Sequence, residues 1–121
     1  MTKKDIGDRA ERAAEDFLRS QGFVVLDRKL HVGRYEIDLL AQQGSLVVIA
    51  EVRTRGRGSF ESALASVDKK KRERLVAAAE RLWRERFKDD PGVERVRFDV
   101  LGVRFDGDAP IVEHIPGAFT A

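Results

Sequence analysis

The run Leu46-Val47-Val48-Ile49-Ala50-Glu51-Val52-Arg53 constrains the fold more than any other stretch of the chain. Side chains along a strand point alternately to opposite faces, so Leu46, Val48, Ala50 and Val52 share one face and Val47 and Ile49 the other. Apolar residues on both faces describe a central strand covered above and below. A sheet with helices packed on it meets that demand. At 121 residues and 42% apolar content there is material for one such core and little spare length, so residues 1–121 read as a single domain.

The remaining elements fall around this strand. Ile6, Ala10, Ala13, Ala14, Phe17 and Leu18 recur at helical spacing, predicting a helix over Asp5–Gln21 that Gly22 stops. Strand-like runs lie at about 23–30, 35–41 and 46–53, the last two joined by Gln42-Gln43-Gly44-Ser45, a polar link suited to a hairpin. After a basic loop over 54–60, Asp68 is placed to cap a second helix from Lys69 to about Lys88, with Leu75, Ala78, Ala79, Leu82, Trp83 and Phe87 as its stripe. Asp89-Asp90-Pro91-Gly92 ends it. A fourth strand at roughly 94–105 and a short fifth at 111–115 complete the order α-β-β-β-α-β-β.

Two acids interrupt these core strands. Glu51 continues the Val47–Ile49 face, and Asp38 stands alone among Ile37, Leu39, Leu40 and Ala41. A buried carboxylate is costly unless something pairs with it. With the hairpin turning about Gln43 and Gly44, Ile49 faces Asp38, Glu51 faces Glu36, and the backbones of Asp38 and Glu51 are diagonal neighbours about 7–8 Å apart. Like charges so close call for a proton or a cation between them. Oxygen ligands alone favour Mg²⁺ or Mn²⁺, with water and phosphate completing the shell. The plainer alternative is a local Glu51–Arg53 ion pair at a strand end. Glu11 lies along the edge of the first helix's stripe and reads equally as a third site acid or as surface. Glu15 and Asp16 read as surface. Gly7, one turn before Glu11, is expected where the helix approaches another backbone closely.

The net charge of +2 is unevenly spread. Residues 1–52 carry eight Lys or Arg against nine acids, residues 53–74 eight against three, and residues 75–121 seven against nine. The basic middle section (Arg55, Arg57, Lys69, Lys70, Lys71, Arg72 and Arg74) reads either as a phosphate-binding patch or as a solvated face. With no cysteine there is no disulfide, thiolate zinc site or cysteine nucleophile. No apolar run is long enough to span a membrane, and the start lacks a secretory signal, so a cytoplasmic location is expected. P-loop, Rossmann and Ser-His-Asp patterns do not occur. His31 and His114 lack ligand spacing, and Trp83 and Phe87 read as core. Tyr35 reads as a base-stacking residue or as packing at the core's edge, and Asp99 as a structural acid bonded to nearby backbone.

Gly7-Asp8-Arg9-Ala10-Glu11, Glu36-Ile37-Asp38-Leu39-Leu40-Ala41, Ile49-Ala50-Glu51-Val52-Arg53-Thr54-Arg55, Arg97-Phe98-Asp99-Val100-Leu101-Gly102-Val103 and His114-Ile115-Pro116-Gly117-Ala118-Phe119 occur in an order that resembles the YraN-like family of small bacterial proteins. The resemblance implies a restriction-endonuclease-like fold: a three-layer α/β domain with a mixed five-stranded sheet flanked by helices, similar to Holliday-junction resolvases. It implies a metal-dependent endonuclease acting on nucleic acid, with Asp38 and Glu51 holding Mg²⁺ or Mn²⁺, Glu11 as the helix acid, Glu36 as the acid preceding Asp38 and Lys71 as a basic residue of the second helix. A homodimer is expected by analogy with resolvases. This chain departs from the family pattern in having Tyr35 where glycine is usual and Arg53 where the Asp…Glu-x-Lys signature has lysine.

Arginine supplies charge and hydrogen bonds but does not accept a proton. If the lysine acts electrostatically, Arg53 replaces it. If it accepts a proton, Lys69 or Lys71 must reach the site. The competing class is a nucleic-acid-binding module that keeps the fold without the chemistry, and a third is a protein-interaction domain whose basic face meets an acidic partner.

Overall fold

Helix α1 (Lys3–Ser20) starts at Thr2, whose hydroxyl accepts from the Asp5 amide at 3.1 Å while the Asp5 carboxylate accepts from the Thr2 amide at 3.0 Å. This capping box opens the helix two residues earlier than the apolar period indicates, because Asp5 serves inside the first turn. In this computed structural model, which describes residues 1–55 and 62–121, α1 is followed by β1 (Val24–Val32), β2 (Tyr35–Gln43), β3 (Leu46–Thr54), α2 (Lys69–Leu82), β4 (Arg95–Asp106) and β5 (Ala109–Phe119). Arg57 lies outside the described residues. Among those residues no helix is long and apolar enough to cross a membrane.

The five strands form one sheet in the order β1-β2-β3-β4-β5. β3 and β4 run parallel, joined by the α2 crossover, and the other pairs are antiparallel. The apolar run of β3 is covered on both faces as expected. Leu46, Val48 and Ala50 pack with Ala10, Ala14 and Leu18 of α1, whereas Val47 and Ile49 pack with Leu75, Ala78 and Leu82 of α2. The molecule is therefore a three-layer α/β domain.

Each of the three hairpins turns on a glycine followed by one other residue: Gly33-Arg34, Gly44-Ser45 and Gly107-Asp108. The glycines have φ of 60°, 59° and 59°, the position that demands glycine in a tight two-residue hairpin. This corrects the β2–β3 register. The turn sits on Gly44-Ser45, one residue later than the sequence reading put it, so Ile49 faces Leu40 rather than Asp38, and Ala50 faces Leu39. A two-residue change of register keeps every side chain on its face. It also makes Asp38 and Glu51 the next facing positions along the two strands, closer than the diagonal placement.

Three further expectations need correction. A Cβ built at Gly7 meets nothing within 4 Å, so no close backbone approach explains that glycine. The second helix loses α geometry at Trp83–Phe87, which form a π turn closed by the Lys88 amide bonding the Trp83 carbonyl at 2.8 Å. β5 continues four residues past Ile115, because a bulge absorbs Pro116 and Gly117 on an edge strand, where a missing ladder bond is tolerated.

Candidate functional site

At one end of the sheet the β2–β3 ladder stops at Leu39–Ala50, and the Asp38 side chain takes over from backbone pairing. Its Oδ2 accepts the Val52 amide at 2.9 Å. Strand alternation also breaks here: Leu39 and Ala41 pack on the α1 side, while Ile37 and Leu40 pack on the α2 side. Across from Asp38, between the pairs Arg28–Leu39 and Leu30–Ile37, lies Lys29 with φ of 46°. A non-glycine residue in the left-handed region costs on the order of 1 kcal/mol or more.

Glu51 is 3% exposed and lies on the α2 face. Its Oε1 is 3.7 Å from both Arg53 Nη1 and Lys71 Nζ. Among the described residues its buried Oε2 has no hydrogen-bond partner. Burial first, and then the Asp38 charge, push the Glu51 carboxyl up to about 8, with Lys71 and Arg53 opposing. Burial also raises Asp38, while the Val52 amide and Lys71 pull it down. Glu51 therefore keeps its proton toward about pH 8, while Asp38 accepts the Val52 amide.

The other predicted residues divide sharply. Lys71 reaches the carboxyl pair and Lys69 does not: exposed in the first turn of α2, Lys69 makes no ion pair among the described residues. Arg53 is anchored sideways, its Nε donating to Ser66 Oγ at 3.0 Å. Glu11 stands on the α1 side, 3.4 Å from Lys29 Nζ, and its carboxyl is raised by burial and by Asp38. The Asp38 charge thus acts on both Glu11 and Glu51. Among the described residues no group of three His, Cys, Asp or Glu is arranged around one metal position. Lys70 is exposed. Arg72 is turned inward, donating to the Val67 carbonyl at 2.9 Å and lying over the Phe119 ring at 5.6 Å, so it is not a free phosphate contact. The Arg55 amide extends the β3–β4 edge by bonding the Val103 carbonyl at 2.7 Å.

Sequence reasoning missed Ser66, Arg34 and a second charged cluster. It also placed Glu15 on the surface, whereas Glu15 is 7% exposed and bridges Arg19 and Arg28. A cleft of about 520 Å³ opens beside the carboxyl pair, lined by Arg34, Tyr35, Glu36, Lys71, Arg74 and Leu75. Arg74 was legible as a helix neighbour of Lys71, three residues on. Arg34 was not, because its position follows from the hairpin register. On the α1 face, Asp99 is fully buried. It accepts both Nε and Nη2 of Arg97 at 2.8 Å, His114 Nε2 at 2.7 Å and the Gly117 amide at 3.0 Å. These donors outweigh burial and hold its carboxyl below the ordinary range. The expectation that Asp99 bonds nearby backbone is met at Gly117, and His114 belongs to the same cluster.

Two helical layers on a mixed five-stranded sheet, with a carboxyl pair at the end of two central strands, define a three-layer α/β domain of the nuclease-like kind. The model of uncharacterised protein family UPF0102 matches residues 10–103, a span that holds Glu11, Asp38, Glu51, Arg53 and Lys71. A UPF0102 protein of Sorangium cellulosum is 47% identical over 119 residues, covering 97% of this chain and 82% of that protein. Another, from Methylobacillus flagellatus, is 38% identical over 118 residues, covering 98% and 99% of the two chains. A third, from Dictyoglomus thermophilum, is 33% identical over 121 residues, covering 98% and 100%. The chain belongs to UPF0102, the YraN-like family.

Proposed function

We propose that this protein is a metal-dependent endonuclease that hydrolyses phosphodiester bonds in nucleic acid at the Asp38–Glu51 pair. The observation that carries the reading is Glu51 Oε2, a buried carboxyl oxygen with no hydrogen-bond partner among the described residues, close enough to Asp38 to feel its charge. Protein chains rarely leave such an atom unpartnered, and each exception calls for a cause. A divalent cation is a fitting cause. Mg²⁺ commonly uses one or two carboxylates and takes its other ligands from water and phosphate, so two acids suffice. Asp38 and Glu51 would hold such a cation, which would supply polarisation of the phosphate and a lowered pKa for bound water.

The chain's own residues supply the rest. Asp38 is oriented by the Val52 amide, which fixes its Oδ2. Lys71 stands where a proton acceptor or an electrostatic anchor is needed, and takes the role that Arg53 cannot, because an ammonium can lose its proton and a guanidinium does not. Arg53, held by Ser66, contributes fixed positive charge toward developing negative charge on the phosphate. Lys69, Lys70 and Lys71 occupy the first turn of α2, where the single acid is the N-cap Asp68, accepting the Lys71 amide at 2.8 Å. Cations there cost about 0.3–1 kcal/mol each, a cost that a bound phosphate offsets.

The test is cleavage of branched, single-stranded and duplex DNA, and of RNA, by the purified chain with and without Mn²⁺. Cleavage is expected to require the metal and to vanish in Asp38→Ala and Glu51→Ala. Lys71→Ala should lower it by about a hundredfold, the size of effect seen when one fixed transition-state donor is removed. Arg53→Lys should preserve or raise it. Activity retained in Asp38→Ala would assign the cleavage to a contaminant. Salt-sensitive binding without cleavage in any metal would favour the second reading, a binding module, which the neutralisation of Glu51 Oε1 by two cations also suits.

A further inference from the structure

We infer that the cleft beside the carboxyl pair is a subsite for the nucleotide next to the scissile phosphate, with Tyr35 and Arg34 receiving its base and Arg74 its phosphate. This inference rests on the nucleic-acid reading above and adds a specific contact surface to it. Three cations face the cleft (Arg34, Lys71 and Arg74) against one acid, Glu36. Lys71 also touches Glu51, so the cleft and the reactive carboxyls share a wall. Its volume of about 520 Å³ lies in the range that holds a small organic ligand.

The wall residues have the two chemistries a nucleotide needs. Tyr35 is half-buried, its ring backed by the α2-side core, so it is a fixed aromatic surface. Arg34 occupies the second position of the Gly33-Arg34 hairpin, its guanidinium 5.4 Å above the Tyr35 ring and 3.5 Å from the Tyr35 hydroxyl. The hydroxyl contact is at the limit of a hydrogen bond, and Arg34 is exposed. Arg34 can therefore lie flat against a base stacked beside Tyr35, or swing to a phosphate. Arg74 is exposed and has no ion pair or hydrogen bond among the described residues. An arginine held only by its helix, one turn from Lys71, is placed to take the next phosphate of a strand that begins at the carboxyl pair. Glu36 lies on the Asp38 side, where it raises the Asp38 carboxyl. The cationic side is left for the strand.

The experiment uses the full chain in EDTA, so that binding is read without cleavage. A fluorescein-labelled single-stranded oligothymidylate is titrated by anisotropy at several salt concentrations, and a version with one 5-iodouracil is photocrosslinked and mapped by mass spectrometry. Tyr35→Ala should weaken binding by about 5- to 150-fold, the span that loss of one base–aromatic stack produces. Tyr35→Phe should stay close to the native chain. Arg74→Ala should weaken binding and lower the salt slope by about one. The crosslink should fall on Tyr35. Because Tyr35 also packs on the core, its alanine variant is checked by thermal unfolding. If it does not fold, the Phe variant, Arg74→Ala and the crosslink carry the test, since Arg74 is exposed and makes no ion pair or hydrogen bond among the described residues. Native binding left unchanged by Arg74→Ala, with the crosslink elsewhere, overturns the subsite and leaves the nuclease reading intact. An oligonucleotide that does not bind at any salt concentration overturns both.

Discussion

Glu51 on β3 and Asp99 on β4 are buried carboxyls, at 3% and 0% exposure, one register step apart: Asp99 faces Ala50, and Val100 faces Glu51. Burial alone would raise both. Asp99 instead receives four N–H groups from Arg97, His114 and Gly117, and stays charged. Among the described residues Glu51 has two cations at 3.7 Å from one oxygen and no donor on the other, and it stays protonated to about pH 8. The difference lies in donors rather than depth, and it separates a carboxylate that holds the fold from one poised for an external cation.

Removing Asp99 should have the largest effect on stability. Asp99→Ala leaves the Arg97 guanidinium, the His114 imidazole and the Gly117 amide facing a hole, and taking one partner from a buried pair costs roughly 3 kcal/mol or more. The β5 bulge at Pro116-Gly117, tied down through Asp99, should loosen with it. Urea denaturation measures the first effect and amide exchange at Gly117 the second. A cost below about 1 kcal/mol would erase the contrast with Glu51.

The next test is the sign of the pH dependence. Because Glu51 is raised, the folded chain holds a proton that the unfolded chain releases above the ordinary glutamate range. Stability is therefore fully present below that range and falls as pH rises toward about 8. Asp99 behaves oppositely, with stability lost only as pH falls below its ordinary 3.8. Glu51→Gln mimics the protonated state, so it should match the native chain near about pH 5 and exceed it by roughly 1–3 kcal/mol near about pH 9. A cation that displaces the proton should likewise raise the native melting temperature more at high pH, and should do nothing for Glu51→Gln. Parallel melting curves for the two proteins across this range would place the proton elsewhere.

The two acids were not equally legible in the sequence. Asp38 and Glu51 stood out because each broke a run of apolar residues, and a strand's period of two fixes the face without knowing the partner. Asp99 stood in a similar run, yet its partners come from distant positions: His114 is fifteen residues away, and Gly117 reaches it only through the bulge. Local pattern carries no information about such partners. The element order was readable throughout, since β3 is apolar on both faces and α1 has its stripe on one. The β2–β3 register was not, because Gln43-Gly44 and Gly44-Ser45 are both plausible turns and backbone φ decides between them. Nor was the entry of Lys71 into the site, which depends on how α2 packs on β3. The same limit applies to Arg53, which sequence places beside Glu51 but which Ser66 holds at an angle.

The smallest expected effect concerns which of the two cations governs Glu51. Lys71 and Arg53 stand at equal distance from its Oε1, with side chains 34% and 37% exposed, so Coulomb's law in a uniform medium would rank them equal. They differ in setting. Lys71 also lowers Asp38, so it acts on both carboxyls, whereas Arg53 divides its hydrogen bonding with Ser66. Lys71→Met should thus raise the Glu51 titration more than Arg53→Met does, followed through the carboxyl carbon by NMR. Partial exposure keeps the stability change of either variant within about 1 kcal/mol. If Arg53→Met moves the titration further, the signature position has kept electrostatic control of the acid despite its arginine, and Lys71 is a neighbour of the pair rather than its partner.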